Sequence, residues 1–285
     1  MALNNDPEDK VKELGPVAAF FVSGWNNLVR MMAANACFII FNIPAIIICV
    51  IFSAVFVPWI IPSFIDVNSY IDAVTVNDDA VFELFFLLCI FMSVFLLAGT
   101  LICIGPFQAG FAQTYIDIRN GTSFSFFSSF KTGVRNNWKK GLGAMITGMI
   151  ITPVLLLAIG FYLNLKTKFG TVIGAVFIVL IFAFILIQNF VYTLMVSTDL
   201  KLIKIYKNAI IFVLIRFIPC LGAALIVLLF YVVVPFILLM SASYLTLGIF
   251  MFLYSFIVIS WSQYFLSYFS GQLIDRYVKS PSSDN

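Results

Sequence analysis

Four polar side chains stand close together in an otherwise apolar stretch: Gln188, Asn189, Tyr192 and Thr193. On a helix, Gln188 with Tyr192 and Asn189 with Thr193 are i,i+4 pairs, so each pair shares a face. Amides and hydroxyls donate and accept hydrogen bonds but carry no proton that titrates near neutral pH. In hydrocarbon that chemistry has two uses. It can line a path for a polar solute or bind a headgroup, or it can tie helices together through side-chain hydrogen bonds. Ser260, Ser262 and Gln263 are candidate partners, as are Asn35 and Asn42.

A second candidate is Gly105-Pro106. Proline removes a backbone donor and glycine permits close approach, so the pair is a candidate hinge or a broken helix lining a site, or else a packing kink with Ala109 and Gly110 as its small-residue contact. A third is basic: Lys131, Arg135 and Lys139 in one segment, and Lys201, Lys204 and Lys207 in another. Clusters of this kind beside hydrophobic runs attract anionic lipid headgroups, at about 1 kcal/mol per residue near the surface. They equally suit a docking face for a protein partner.

The residues that are missing exclude other chemistry. The chain has no histidine, no Walker A string and no Asp, Glu, Lys or Arg in the middle of an apolar run. Metal catalysis by histidine, a Ser-His-Asp triad, an intramembrane Asp pair and ATP hydrolysis through a Walker loop all lack their residues. The five cysteines lie in apolar runs without CxxC spacing, which points to packing. A non-enzymatic protein without metal or cofactor is expected. Its basic residues adjoin hydrophobic runs and do not form a solvated basic surface, so no nucleic-acid partner is expected either.

The elements that must position these groups follow from composition. The chain is 62% hydrophobic and 10% charged, against about 25% charged in a soluble domain. Six runs reach the roughly 20 residues needed to cross hydrocarbon: about Met31–Trp59, Val81–Gln108, Gly141–Leu163, Thr171–Met195, Phe217–Met240 and Leu245–Tyr268. The fold class expected is an all-α polytopic membrane protein. It has six transmembrane helices plus cytoplasmic interfacial amphipathic helices, in one domain over residues 1–285, with polar tails at 1–15 and 278–285. The polar, acid-rich start of the chain does not read as a cleavable signal.

Charge orients the bundle. Of the 16 Lys and Arg, only Lys166 and Lys168 fall on one side, while residues 60–83 hold five acidic residues and no basic one. Basic residues near membrane ends are retained in the cytoplasm. The expected placement is in a cell membrane, multi-pass, with both termini cytoplasmic.

Three segments on the basic side read as interfacial helices. Pro16 opens the first, with Val17, Phe21, Trp25 and Leu28 as its stripe. After Asn120-Gly121, Thr122 or Ser123 can cap the second; Phe127, Phe130, Val134 and Trp138 line one face, with Ser128, Lys131, Arg135 and Lys139 opposite. Asp199 can cap the third, with an apolar face of Ile203, Tyr206, Ile210, Val213 and Phe217. Leu142-Gly143-Ala144 echoes Leu221-Gly222-Ala223, a hint of a duplicated unit.

Several strings then resemble one family. Gly105-Pro106-Phe107-Gln108-Ala109-Gly110, Phe126-Phe127-Ser128-Ser129-Phe130-Lys131, Asn137-Trp138-Lys139, and Asp199-Leu200-Lys201-Leu202 followed by Ile205-Tyr206-Lys207-Asn208-Ala209 resemble, in order, the YesL family of bacterial membrane proteins. Asn35 ahead of Ile43-Pro44 agrees, and Ser197-Thr198 departs from the family's Thr-Phe before the Asp. The resemblance implies a polytopic protein without an assigned activity, from loci of carbohydrate uptake beside ABC-type sugar permeases. The role expected is an accessory or regulator of carbohydrate uptake, with anionic membrane lipids and an ABC-type sugar permease as partners. Two alternatives stand beside it. One is a permease subunit or small-solute transporter, because Asp199 to Pro219 sits where a permease's coupling helix could, though without the Glu-Ala-Ala and Gly pattern. The other is a lipid-binding scaffold.

Overall fold

The computed structural model describes residues 15–60, 79–122, 125–240 and 243–276. The protein is an all-α, multi-pass membrane protein, with no strand among the described residues. Five helical stretches are long and apolar enough to cross a membrane: Ile43–Ile60, Phe126–Asn164, Lys168–Ser197, Phe217–Leu238 and Tyr244–Ile274. The expected second crossing is represented by Asp79–Ala98, apolar over its described part Phe85–Ala98. The acidic connection at 61–78 lies outside the described residues.

Twelve helices carry this frame among the described residues. Helices α1 (Pro16–Asn26), α2 (Leu28–Phe41) and α3 (Ile43–Ile60) follow one another with single-residue breaks at Asn27 and Asn42. Pro16 opens α1 as expected, in the first turn where its missing N–H costs nothing. Helix α4 (Asp79–Ala98) packs along α3, where the Ser53 and Ser93 hydroxyls meet at 3.0 Å.

Span two does not run on to Gln108. Helix α4 stops at Ala98, and α5 (Gly105–Arg119) starts after six buried or half-buried residues of irregular chain. The stop has a local cause. Thr100 takes a left-handed conformation (φ 58°), its N–H bonding Leu97 O and that of Leu101 bonding Leu96 O. This is the Schellman pattern, with threonine in the place usually held by glycine. Gly105-Pro106 is therefore no hinge within a continuous span. Proline sits in the first turn of a new helix, where it breaks no hydrogen bond.

After α5 the chain reverses through Asn120 and Gly121 (φ 70°), with Thr122 bonded back to Asp117 O at 2.9 Å. Ser123 lies outside the described residues, and Thr122 closes this turn without capping the helix that follows. That helix, α6 (Phe126–Asn164), is 39 residues of unbroken α-helix, about 58 Å long. The expected interfacial helix at 126–139 is thus the first third of a membrane-crossing rod. Its buried face is Phe126, Phe130, Gly133, Asn137, Gly141 and Ala144, against α5. The expected aromatic stripe divides: Phe130 packs on Phe107 and Phe111, while Phe127 and Trp138 are exposed.

Helix α7 (Lys168–Ser197), capped by the Thr167 hydroxyl, returns along α6. The chain then runs extended, so Asp199 caps nothing. Lys201 holds the N-cap position of α8 (Leu202–Ile215), two residues later than expected. Helices α9 (Phe217–Leu228) and α10 (Val234–Met240) are joined by a π turn, Leu229–Val233. Helices α11 (Tyr244–Leu253) and α12 (Ile259–Ile274) are joined by another, Tyr254–Val258. The echo between Gly143 and Gly222 does not extend to their surroundings. A methyl group on Gly143 would lie 2.6 Å from Leu202, whereas one on Gly222 would meet open space.

Candidate functional site: an inner polar belt and the basic face it carries

The four polar residues of α7 are buried but do not converge on one point. Each faces a different element. Gln188 donates to Ala144 O of α6 (3.4 Å) and accepts from the Tyr206 hydroxyl of α8 (3.0 Å). Asn189 reaches Thr100 at the end of α4 (3.4 Å). The Tyr192 hydroxyl lies 3.6 Å from Cys103 Sγ, beside α5. Thr193 accepts from Ser270 of α12 (3.0 Å). One helix thus holds three others, α6, α8 and α12, and the irregular chain at 99–104, as hydrogen bonding in an apolar medium favours.

Two of these bonds, from Asn189 and Tyr192, hold the irregular chain at 99–104, and Asn42 adds a third. Asn42, in the break between α2 and α3, accepts from the Ile104 N–H at 2.8 Å and donates to Phe38 O at 2.8 Å. Gly148 of α6 leaves room for the Leu101 carbonyl, which a methyl group there would strike. Unpaired backbone groups are costly in hydrocarbon, so such a break survives only where protein satisfies it.

Asn35 does comparable work elsewhere. Its Nδ2 donates to Tyr254 O (2.8 Å) and its Oδ1 accepts from Ser260 N–H (2.7 Å), bridging the π turn before α12. The Tyr254 hydroxyl in turn donates to Phe230 O in the other π turn. Beside them Tyr115 pairs with Ser260 (3.1 Å), and Gln108 Nε2 donates to Gln263 Oε1 (3.2 Å). The remaining amide atoms, Gln108 Oε1 and Gln263 Nε2, are buried without a partner. The sequence offers Asn35, Asn42, Ser260, Ser262 and Gln263 as candidate partners of α7; in the fold Asn35 and Asn42 serve backbone groups, Ser260 meets Tyr115 and Gln263 meets Gln108. The roles of Tyr206 and Tyr115 were not anticipated. Tyr206 was assigned to an apolar stripe, and only the tertiary position of Gln188 shows what its hydroxyl does.

The basic residues occupy the outside of this belt. Lys131, Arg135, Lys139, Lys201, Lys204 and Lys207 are all exposed, and none is in an ion pair with another described residue. Two segments far apart in sequence meet here. Leu202 packs on Gly143, one turn beyond Lys139, and Lys201 immediately precedes Leu202. Tyr206 anchors the junction; burial raises its phenol above the ordinary value, partly offset by bonds to Thr147 and Gln188, so it stays a neutral donor. Along the exposed face of α6 the side chains change from Lys131, Arg135 and Lys139 to Leu142, Ile146, Ile150 and Val154. Hydrocarbon contact therefore begins within one turn of Trp138, an amphipathic ring suited to such a boundary.

The arrangement thus sets buried amides and hydroxyls of the belt behind exposed ammonium and guanidinium groups. Comparison of the chain with family models, curated proteins and solved structures finds no match.

Proposed function

We propose that this protein is a non-enzymatic, multi-pass component of the bacterial cell membrane that serves carbohydrate uptake by docking on a transport partner. The docking face is the basic junction of α6 and α8. One observation carries the reading: exposed cations from two distant segments meet at the Gly143–Leu202 contact. The polar groups behind that contact are spent on hydrogen bonds within the bundle. A solute path would need such groups free; a docking scaffold needs them closed. The positive-inside rule supports a cytoplasmic position for this face and for both termini, and the resemblance to the YesL family supports carbohydrate uptake and an ABC-type sugar permease as partner. The same cations suit anionic headgroups, so lipid supports the docked state.

Affinity purification from the native membrane tests the proposal. Stoichiometric co-purification of a sugar permease is the expected result. A lone protein that moves solute across liposomes would overturn it in favour of a transporter.

A further inference from the structure

Where α5 and α12 face each other, a single hydrogen bond uses half of what two amides offer. Gln108 Nε2 donates to Gln263 Oε1 at 3.2 Å, while Gln108 Oε1 and Gln263 Nε2 have no partner. The count does not depend on how the amides are turned. Exchanging oxygen and nitrogen in both reverses the bond and still leaves one amide oxygen and one amide nitrogen over. Neither side chain can turn to solvent, since Gln108 is 2% exposed and Gln263 1%.

A third buried group stands beside them. The Tyr231 hydroxyl is fully enclosed and also lacks a hydrogen bond. It faces Ser262, the residue before Gln263, and lies near Tyr115 of α5. Two contacts fix that placement. Tyr115 pairs with Ser260 of α12, and the Tyr254 hydroxyl donates to Phe230 O, one residue before Tyr231. Tyr231 belongs to the Leu229–Val233 π turn, an irregularity often found where a helix serves a site. Gln263 and Tyr231 both lie in the interior of their crossings, Tyr244–Ile274 and Phe217–Leu238.

Chemistry selects the occupant. Hydrocarbon offers no hydrogen bond, so neither a lipid chain nor an apolar side chain can serve these atoms. The groups on offer are neutral: an acceptor, a donor and a hydroxyl that can be either. They call for a small molecule that donates and accepts at once. Water does so, and a buried water makes about three hydrogen bonds.

We infer that α5, α12 and the Leu229–Val233 π turn enclose a water-binding site inside the membrane. One water donates to Gln108 Oε1 and accepts from Gln263 Nε2, and the Tyr231 hydroxyl completes its shell. The site is separate from the α6–α8 face and does not rest on the docking proposal. Water-edited solid-state NMR tests it on the isotope-labelled wild-type chain in vesicles of phosphatidylethanolamine and phosphatidylglycerol. The Gln263 side-chain amide should receive magnetisation from water several-fold faster than that of Asn42, which is fully buried with both amide ends bonded to backbone. Tyr231→Phe removes only the hydroxyl and should slow the transfer to Gln263. Transfer to Gln263 as slow as to Asn42 would overturn the site, because the two amides would then serve each other. Fast transfer unaltered by Tyr231→Phe would overturn the part given to Tyr231. A cryo-EM map of the wild-type chain gives a readout that needs no variant: a density peak within hydrogen-bond distance of Gln108 Oε1 and Gln263 Nε2 supports the water, and its absence in a map that shows other bound waters overturns it.

Discussion

Gly105 and Gly141 meet backbone to backbone, each occupying the space that a methyl group on the other would need. A Cβ on Gly141 would lie 2.8 Å from Gly105 O and 2.9 Å from Pro106 Cα, and one on Gly105 would strike the Gly141 carbonyl. Backbone cannot swing aside as a side-chain tip can, so Gly141→Ala should force the α5–α6 hairpin apart. Overpacking of this kind costs about 1–3 kcal/mol. A lowered unfolding midpoint in detergent is the expected result, and an unchanged midpoint would show that the hairpin yields freely.

Asn42→Leu tests the broken second span. It keeps the side chain's size and strips the partner from the Ile104 N–H, now bonded at 2.8 Å, while Phe38 O, the other group Asn42 serves, keeps the Asn42 N–H. Leaving one buried group unpaired costs about 1–3 kcal/mol. Asn35→Leu strips two groups, Tyr254 O and Ser260 N–H, and should destabilise more. Denaturation of both variants beside wild type ranks them; the reverse order would place the tighter constraint at the break.

At Thr100 the opposite sign is expected. A left-handed conformation costs a residue with a Cβ about 1–2 kcal/mol, and glycine adopts it freely. Thr100→Gly relieves that strain but forfeits the long 3.4 Å bond from Asn189 and the packing of a buried side chain, so the net gain should be small, at most about 1 kcal/mol. A fall in unfolding temperature would show that the Asn189 bond and the packing outweigh the strain.

Much of this architecture is legible in the sequence, and the residues show where legibility ends. Hydropathy locates the long crossings because spanning hydrocarbon is a one-dimensional requirement of length. Pro16 and Gly121 announce a helix start and a reversal because their constraints are local. The break at 99–104 escapes such reading: Thr100 is no glycine, and what holds the break open is Asn42, far away in sequence. Asp199 shows the converse limit, since a residue type suited to capping gains nothing where the chain stays extended. The α7 quartet is legible as polar and buried, yet its division among three neighbouring helices and the irregular chain at 99–104 exists only in three dimensions.

Topology is checked by paired reporter fusions. A fusion at Asn120 should give a cytoplasmic signal and one at Lys166 an external signal, following the distribution of Lys and Arg. A cytoplasmic signal at Lys166 would invert the protein and remove the basic face from the partner's side.

Replacing Lys201, Lys204 and Lys207 with Gln should leave membrane insertion intact while weakening capture of the partner and of anionic vesicles. Exposed side chains contribute little to folding, so the unfolding midpoint should stay within about 0.5 kcal/mol of wild type. Undiminished capture would reduce these residues to determinants of orientation.

The uninterrupted α6 has a mechanical consequence. It carries the exposed Lys131, Arg135 and Lys139 near one end, while near the other Gly160 seats the Trp59 ring and Asn164 holds Trp59 O at 2.8 Å. Pro153 cannot donate to the carbonyl of Met149, and this missing rung is the rod's natural fulcrum. The inner arm is about 40 Å long and the outer arm about 16 Å, so a partner that tilts the long arm would be felt at Trp59 as a reduced, reversed displacement. A load on the Lys131 end of the helix would then be read out at the Trp59 end, on the far side of the membrane.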